Sequence, residues 1–83
     1  YLKIGVNSLA EEHYLRAIEF SQEMNDAEGQ AIAGRQLGLL YEVRGNWDQS
    51  TRFLRLALEQ YQLLGDAAAA QEIEDRLAEL PTQ

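Results

Sequence analysis

The sequence predicts an all-α fold of antiparallel helical hairpins stacked as an α-solenoid, and three observations carry that prediction. Pro81 is the only proline in 83 residues, so nothing before it breaks a helix. Turn residues recur at intervals. Gly5, Gly45 and Gly65 each close an apolar or basic stretch and precede Asn, Asp or Ser, and Asn25-Asp26 repeats the pattern with asparagine in the place of glycine. Finally, the chain matches itself at an offset of 40 residues. Tyr1 meets Tyr41, Gly5 meets Gly45, Ala17 meets Ala57 and Glu19 meets Glu59; Gln22 meets Gln62, Asp26 meets Asp66, Ala27 meets Ala67, Leu37 meets Leu77 and Leu40 meets Leu80. These are nine identities in 43 compared positions, where chance gives about three. A helix-turn-helix unit of that period buries its apolar face by stacking on its neighbours, which is the definition of a solenoid.

The elements follow in order. A stub at 1–4 is expected to end at Gly5. The first long helix, 8–24, opens at Ser8, whose spacing to Glu11 fits a capping box. It carries Ala10, Tyr14, Ala17, Ser21 and Met24 at steps of three and four, with Ile18 beside them. The second, 27–44, offers Ala33, Leu37, Leu40 and Tyr41. The third, 47–64, opens on the Asn46/Gln49 capping pair and offers Phe53, Leu54, Ala57, Leu58, Tyr61 and Leu64. The fourth, 66–80, begins with the strong helix former Ala67 to Ala70, offers Ala70, Ile73, Leu77 and Leu80, and is stopped by Pro81. Loops of two or three residues make neighbouring helices antiparallel. The whole is one domain: a partial repeat at 1–25, a complete hairpin with its turn at 26–65, and a capping helix at 66–80. A chain that opens on Tyr1 reads as part of a longer protein.

Composition narrows the function. An apolar content of 46% allows one packed domain in a chain this short. The absence of cysteine removes disulfides, thiolate zinc sites and cysteine nucleophiles together. A net charge of −7 repels nucleic acid and anionic membranes, so neither is expected as a partner. No apolar run approaches the roughly 20 residues that span a bilayer, and a cytoplasmic location is expected. The side chains offer no catalytic or metal constellation. His13 is the sole histidine, and Glu11-Glu12 and Glu74-Asp75 are adjacent pairs that diverge by about 100° on a helix. The glycines at 34, 38 and 45 precede no lysine, so they form no phosphate loop; close helix packing explains Gly34 and Gly38. Neither an enzyme nor a cofactor is expected. Trp47 is expected to pack rather than to bind.

The run Leu37-Gly38-x-x-Tyr41, then Gly45-Asn46-Trp47-Asp48, then Leu54 and Ala57, resembles a tetratricopeptide repeat. The copy beginning at Tyr1 supplies Tyr1, Gly5, Ala10, Tyr14 and Ala17 in the same register. Gly34, Ser50 and Gln62 stand where that family often has tryptophan, alanine and proline. The missing proline and the 40-residue period resemble the long repeats of kinesin light chains, GoLoco-containing spindle adaptors and many bacterial regulatory proteins.

The resemblance implies a right-handed stack that serves as a protein–protein interaction scaffold, with a concave groove for a peptide or helix of a partner. Carried over residue by residue, the groove is Ile32, Arg35, Gln36, Leu39, Glu42 and Val43, with Lys3 from the stub and Glu72, Asp75, Arg76 and Glu79 from the last helix. The expected ligand is a mixed acidic and apolar peptide gripped near Arg35, with the last helix selecting a basic residue. Solvated helix surface is the plain alternative for each of these residues. The rival architecture is a closed four-helix bundle acting as a dimerisation or signalling domain. With only 1–4 as hairpin partner, the stripe containing Tyr14 and Ile18 is expected to stay open and to drive self-association.

Overall fold

A computed structural model describes residues 2–80, with side chains from residue 8. Among the described residues four helices follow one another: α1 (Leu2–Glu23), α2 (Ala27–Val43), α3 (Trp47–Leu64) and α4 (Ala67–Glu79). No strand occurs among the described residues.

The three turns are built alike. Asn25, Gly45 and Gly65 adopt left-handed backbone at φ of 55°, 77° and 76°. The residue after each donates its N–H five residues back: Asp26 to Ser21 at 2.8 Å, Asn46 to Tyr41 at 2.9 Å and Asp66 to Tyr61 at 3.0 Å. The left-handed residue itself donates three residues back, to Gln22, Glu42 and Gln62. This is a Schellman closure, and it satisfies carbonyls that the helix end leaves without partners. The residue that closes it also opens the next helix. The side chains of Asp26, Asn46 and Asp66 accept from the N–H groups of Gly29, Gln49 and Ala69 at 3.0, 3.4 and 3.1 Å.

The expected turn at Gly5 does not form, and α1 runs unbroken from Leu2. The physical reason lies one residue on. Each turn that forms has Asp or Asn directly after its left-handed residue, whereas Gly5 is followed by Val6, which has no side-chain acceptor. Ser8 therefore lies inside a helix rather than at its cap. At the other end α4 stops at Glu79, and Leu80 is extended at φ −68°, ψ 145°, as a residue before proline must be.

Each helix packs extensively on the next: α1 on α2, α2 on α3, and α3 on α4. Ile18 joins Ala33, Leu37 and Tyr41 in one buried cluster, and Leu54, Ala57, Ile73 and Leu80 form a second, against which Trp47 packs. The sequence repeat is a repeat of elements as well. The helices α2 and α4 begin at residues 40 apart, and the equivalent pairs Ala33/Ile73 and Leu37/Leu77 all enter the two clusters.

The stripe with Tyr14 and Ile18, expected to be open, is largely covered. Ile18 is only 7% exposed, because α2 and not the first few residues is the partner of α1. Tyr14 beside it is half-buried, so what the stripe still presents to solvent is an edge of Tyr14 and the part of Ile18 that faces the neighbouring depressions. Among the described residues α1 leaves Leu9, Leu15 and Phe20 in solvent, and Met24, in the turn just after it, is exposed too.

The helices α2 and α3 approach one another closely at two glycines. A Cβ built on Gly38 would fall 2.5 Å from Cγ and Cδ2 of Leu54, a fully buried side chain with nowhere to move. Beside it the buried Ser50 hydroxyl donates to the Gly38 carbonyl at 2.8 Å. At Gly34 a Cβ would meet the Phe53 carbonyl at 3.2 Å and the Ala57 Cβ at 3.5 Å, a much milder crowding. Two effects oppose each other when either glycine becomes alanine: a helix-propensity gain of about 1 kcal/mol and an overpacking cost of about 1–3 kcal/mol. Overpacking wins at Gly38, so Gly38→Ala is expected to lose about 1–2 kcal/mol. Gly34→Ala is expected to stay within about 0.5 kcal/mol of wild type. Urea denaturation midpoints check the order of the two, and a Gly38→Ala protein as stable as wild type would refute this packing.

Candidate partner-binding site

The α2 helix presents three faces. Gly34 and Gly38 turn to α3, while Ala33, Leu37 and Tyr41 turn to α1. The remaining face holds Ile32, Arg35, Gln36, Leu39, Glu42 and Val43, spaced at three and four residues on one side. Val43 is 81% and Ile32 49% exposed; Arg35, Gln36, Leu39 and Glu42 are half-buried.

The face of α4 at Glu72, Asp75, Arg76 and Glu79 lies beside this surface, and two ion pairs join them. Arg35 Nη2 donates to Glu72 Oε2 at 3.0 Å, and Arg76 Nη1 donates to Glu42 Oε1 at 3.1 Å. Half-exposed pairs of this kind are worth about 0–1 kcal/mol each, so they set the charge of the surface more than they hold the fold. Arg35 was expected to grip an acidic ligand, but Glu72 already engages its guanidinium. Asp75 accepts from Gln71 at 3.0 Å, and Glu79 has no ion-pair partner among the described residues. The charge left over on this surface is negative. Lys3 does not join the set by way of a separate stub helix, since it lies in the continuous α1. Its side chain lies outside the described ones.

On the other side of α2, Glu11 of α1 ties the hairpin together. Glu11 Oε2 accepts a short hydrogen bond from the Tyr41 hydroxyl, and Oε1 accepts from Arg44 Nη1 at 2.9 Å. The Arg44 guanidinium sits 5.7 Å from the Tyr41 ring centroid, and that ring stacks on Phe53 at 5.7 Å. Sequence reading placed Glu11 in a capping-box spacing with Ser8 and an acidic pair with Glu12, and missed this cluster. Nothing in the chain order pairs residues 11, 41 and 44; only the antiparallel crossing of α1 and α2 does. The inter-repeat ion pairs left a fainter trace. Arg35/Glu72 and Glu42/Arg76 are opposite charges on equivalent faces at separations near the repeat period.

Among the described residues no group of three or more His, Cys, Asp or Glu side chains is placed to hold a metal ion. None of the described helices is long and apolar enough to cross a membrane. No family model, curated protein or solved structure matches the chain.

The Glu11 cluster gives stability a pH signature. Burial first, and the hydrogen bond to Glu11 second, push the Tyr41 phenol up to about 12. The hydrogen bond from Tyr41, then that from Arg44, hold the Glu11 carboxyl below its ordinary 4.5. A raised tyrosine contributes stability that is complete below its unfolded value near 10 and is lost as pH climbs toward 12. Burial raises Tyr61 as well, which adds to the same alkaline loss. A lowered carboxyl contributes stability that is complete above 4.5 and lost as pH falls through its folded value. Urea midpoints between pH 3 and pH 11 are expected to fall at both ends; Tyr41→Phe should flatten the alkaline fall and Glu11→Gln the acid one. Midpoints for Glu11→Gln that track wild type across the acid range would show that the carboxylate is not held as described.

Proposed function

We propose that the chain is a protein–protein interaction scaffold, a tetratricopeptide-like segment of a right-handed α-solenoid, with no catalytic role. The observation that carries the reading is the 40-residue repeat of whole elements. α4 begins 40 residues after α2, and the turns that lead into them, at Asn25-Asp26 and Gly65-Asp66, share the same Schellman closure and the same aspartate cap, while α1 starts further from its end than α3 does. The order of packing supports it too. Each helix rests on the next, and among the described residues no comparable packing joins α1 to α4, which a closed four-helix bundle needs.

In this reading α2 and α4 are successive first helices, and their adjoining faces form the groove for a peptide or helix of the partner. Ile32, Leu39 and Val43 supply apolar contact, and Gln36 a side-chain amide for the peptide backbone. With Arg35 and Arg76 neutralised by Glu72 and Glu42, the unpaired charge belongs to Asp75 and Glu79. The ligand that fits is a segment combining a bulky apolar residue with lysine or arginine, in place of the acidic peptide that Arg35 alone suggests.

Panning a random peptide display library tests this. Peptides enriched on wild type are expected to pair basic with apolar residues and to lose about tenfold or more in affinity on Asp75→Lys/Glu79→Lys. Enriched peptides that bind this variant and wild type equally well would overturn the groove assignment.

A further inference from the structure

The arginines divide into two groups. Four of the six are paired with a carboxylate: Arg16 with Glu12, Arg35 with Glu72, Arg44 with Glu11 and Arg76 with Glu42. Among the described residues Arg52 and Arg55 have no such partner, although the chain carries twice as many acids as bases. These two side chains line one depression of about 460 Å³ between α1 and α3. Its apolar floor is Ile18, Phe53 and Leu56, and Gln22 and Glu59 complete the rim. Glu59 makes no ion pair with either arginine.

The repeat supplies a control within the same molecule. The equivalents of Arg52 and Arg55 at the 40-residue offset are Glu12 and Leu15, and both line a similar hollow of about 430 Å³ along α1. That hollow is acidic: Glu11, Glu12 and Glu19 line it, and its one arginine, Arg16, is taken by Glu12 at 2.8 Å. Packing of the repeat thus requires no cation at these positions. The two on α3 are particular to the second hollow, which α1 and α3 form without α2 or α4.

We infer that the α1–α3 depression is a second docking surface, and that its occupant is an acidic segment of a partner protein carrying one bulky apolar side chain between carboxylates. Arg52 and Arg55 lie three residues apart on α3, so their Cβ atoms stand about 5–6 Å from one another on one side of the helix. Two carboxylates flanking a single side chain can meet both guanidiniums while that side chain covers Ile18, Phe53 and Leu56. Guanidinium–carboxylate contacts give orientation as well as attraction, and the apolar floor rewards a Phe or Leu over a small residue. On a chain of net charge −7, an unpaired cationic hollow is where an acidic partner meets local attraction in place of repulsion.

The test is an amide NMR titration of the whole chain with the blocked pentapeptide Glu-Glu-Phe-Glu-Glu, alongside Gln-Gln-Phe-Gln-Gln, Glu-Glu-Ala-Glu-Glu and 3-phenylpropionate. Shifts are expected to centre on Ile18, Gln22, Arg52, Arg55 and Leu56 with the first peptide. Affinity should fall about tenfold or more for either substituted peptide and for the protein variant Arg52→Glu/Arg55→Glu. Both arginines are exposed, and circular dichroism confirms that the variant is folded; Arg52→Gln/Arg55→Gln gives the same loss without charge reversal. Asp75→Lys/Glu79→Lys should leave this titration unchanged, which separates it from the groove between α2 and α4. Shifts that ignore the Arg52/Arg55 substitutions overturn the site. Binding of 3-phenylpropionate as tight as the first peptide overturns the protein segment as occupant. Self-association abolished by Arg52→Glu/Arg55→Glu in sedimentation overturns it in favour of a second copy.

Discussion

The approach of α2 to α3 at Gly38 and Leu54 is the constraint on which the rest of the molecule depends. Without a side chain at 38, Leu54 sits directly against the α2 backbone, and Ser50 bonds to the Gly38 carbonyl beside it. That closeness places α2 between two neighbours, with one side on α3 and another on Ile18 of α1. Leu54 and Ala57 also belong to the cluster that receives Ile73 of α4. One contact therefore governs where the last helix lies, and through it whether Glu72 and Arg76 come within reach of Arg35 and Glu42.

Charge is distributed over this frame unevenly. Arginines 16, 35, 44 and 76 are each met by a carboxylate, within α1, between α1 and α2, or between α2 and α4. The surface joining α2 and α4 is left with a negative remainder, while the hollow between α1 and α3 keeps two cations that have no ion-pair partner among the described residues. A chain with a strong net charge of one sign thus offers two surfaces of opposite local character. They are formed by different pairs of helices, so occupying one need not block the other.

Much of the fold was legible in the sequence because local chemistry fixes it. Asp26, Asn46 and Asp66 follow left-handed residues directly, and each such pair makes a turn. Gly38 announced a close crossing, and Trp47 packs as its position suggested. Gly5 misled because glycine alone does not end a helix; with Val6 next, nothing rewards the chain for turning. The burial of Ile18 was misjudged for a different reason: α2, which the short turn after Glu23 folds back onto α1, covers it. The face of α2 from Ile32 to Val43 could be read from spacing, but the state of its charges could not. Whether Arg35 is free depends on where Glu72 stands, 37 residues away, and that is decided by tertiary packing.

The turns have a consequence for how such a chain can change in length. Their left-handed residues stand at 25, 45 and 65, and each is followed at once by the acceptor that starts the next helix. Cuts after 25 and after 65 therefore leave the same pair of ends, Asn or Gly on one side and Asp-Ala on the other. A segment of this span can be excised or copied in tandem with every junction already chemically competent. Gene duplication needs no new loop to lengthen an array of this kind, only an outward helix face willing to accept another neighbour.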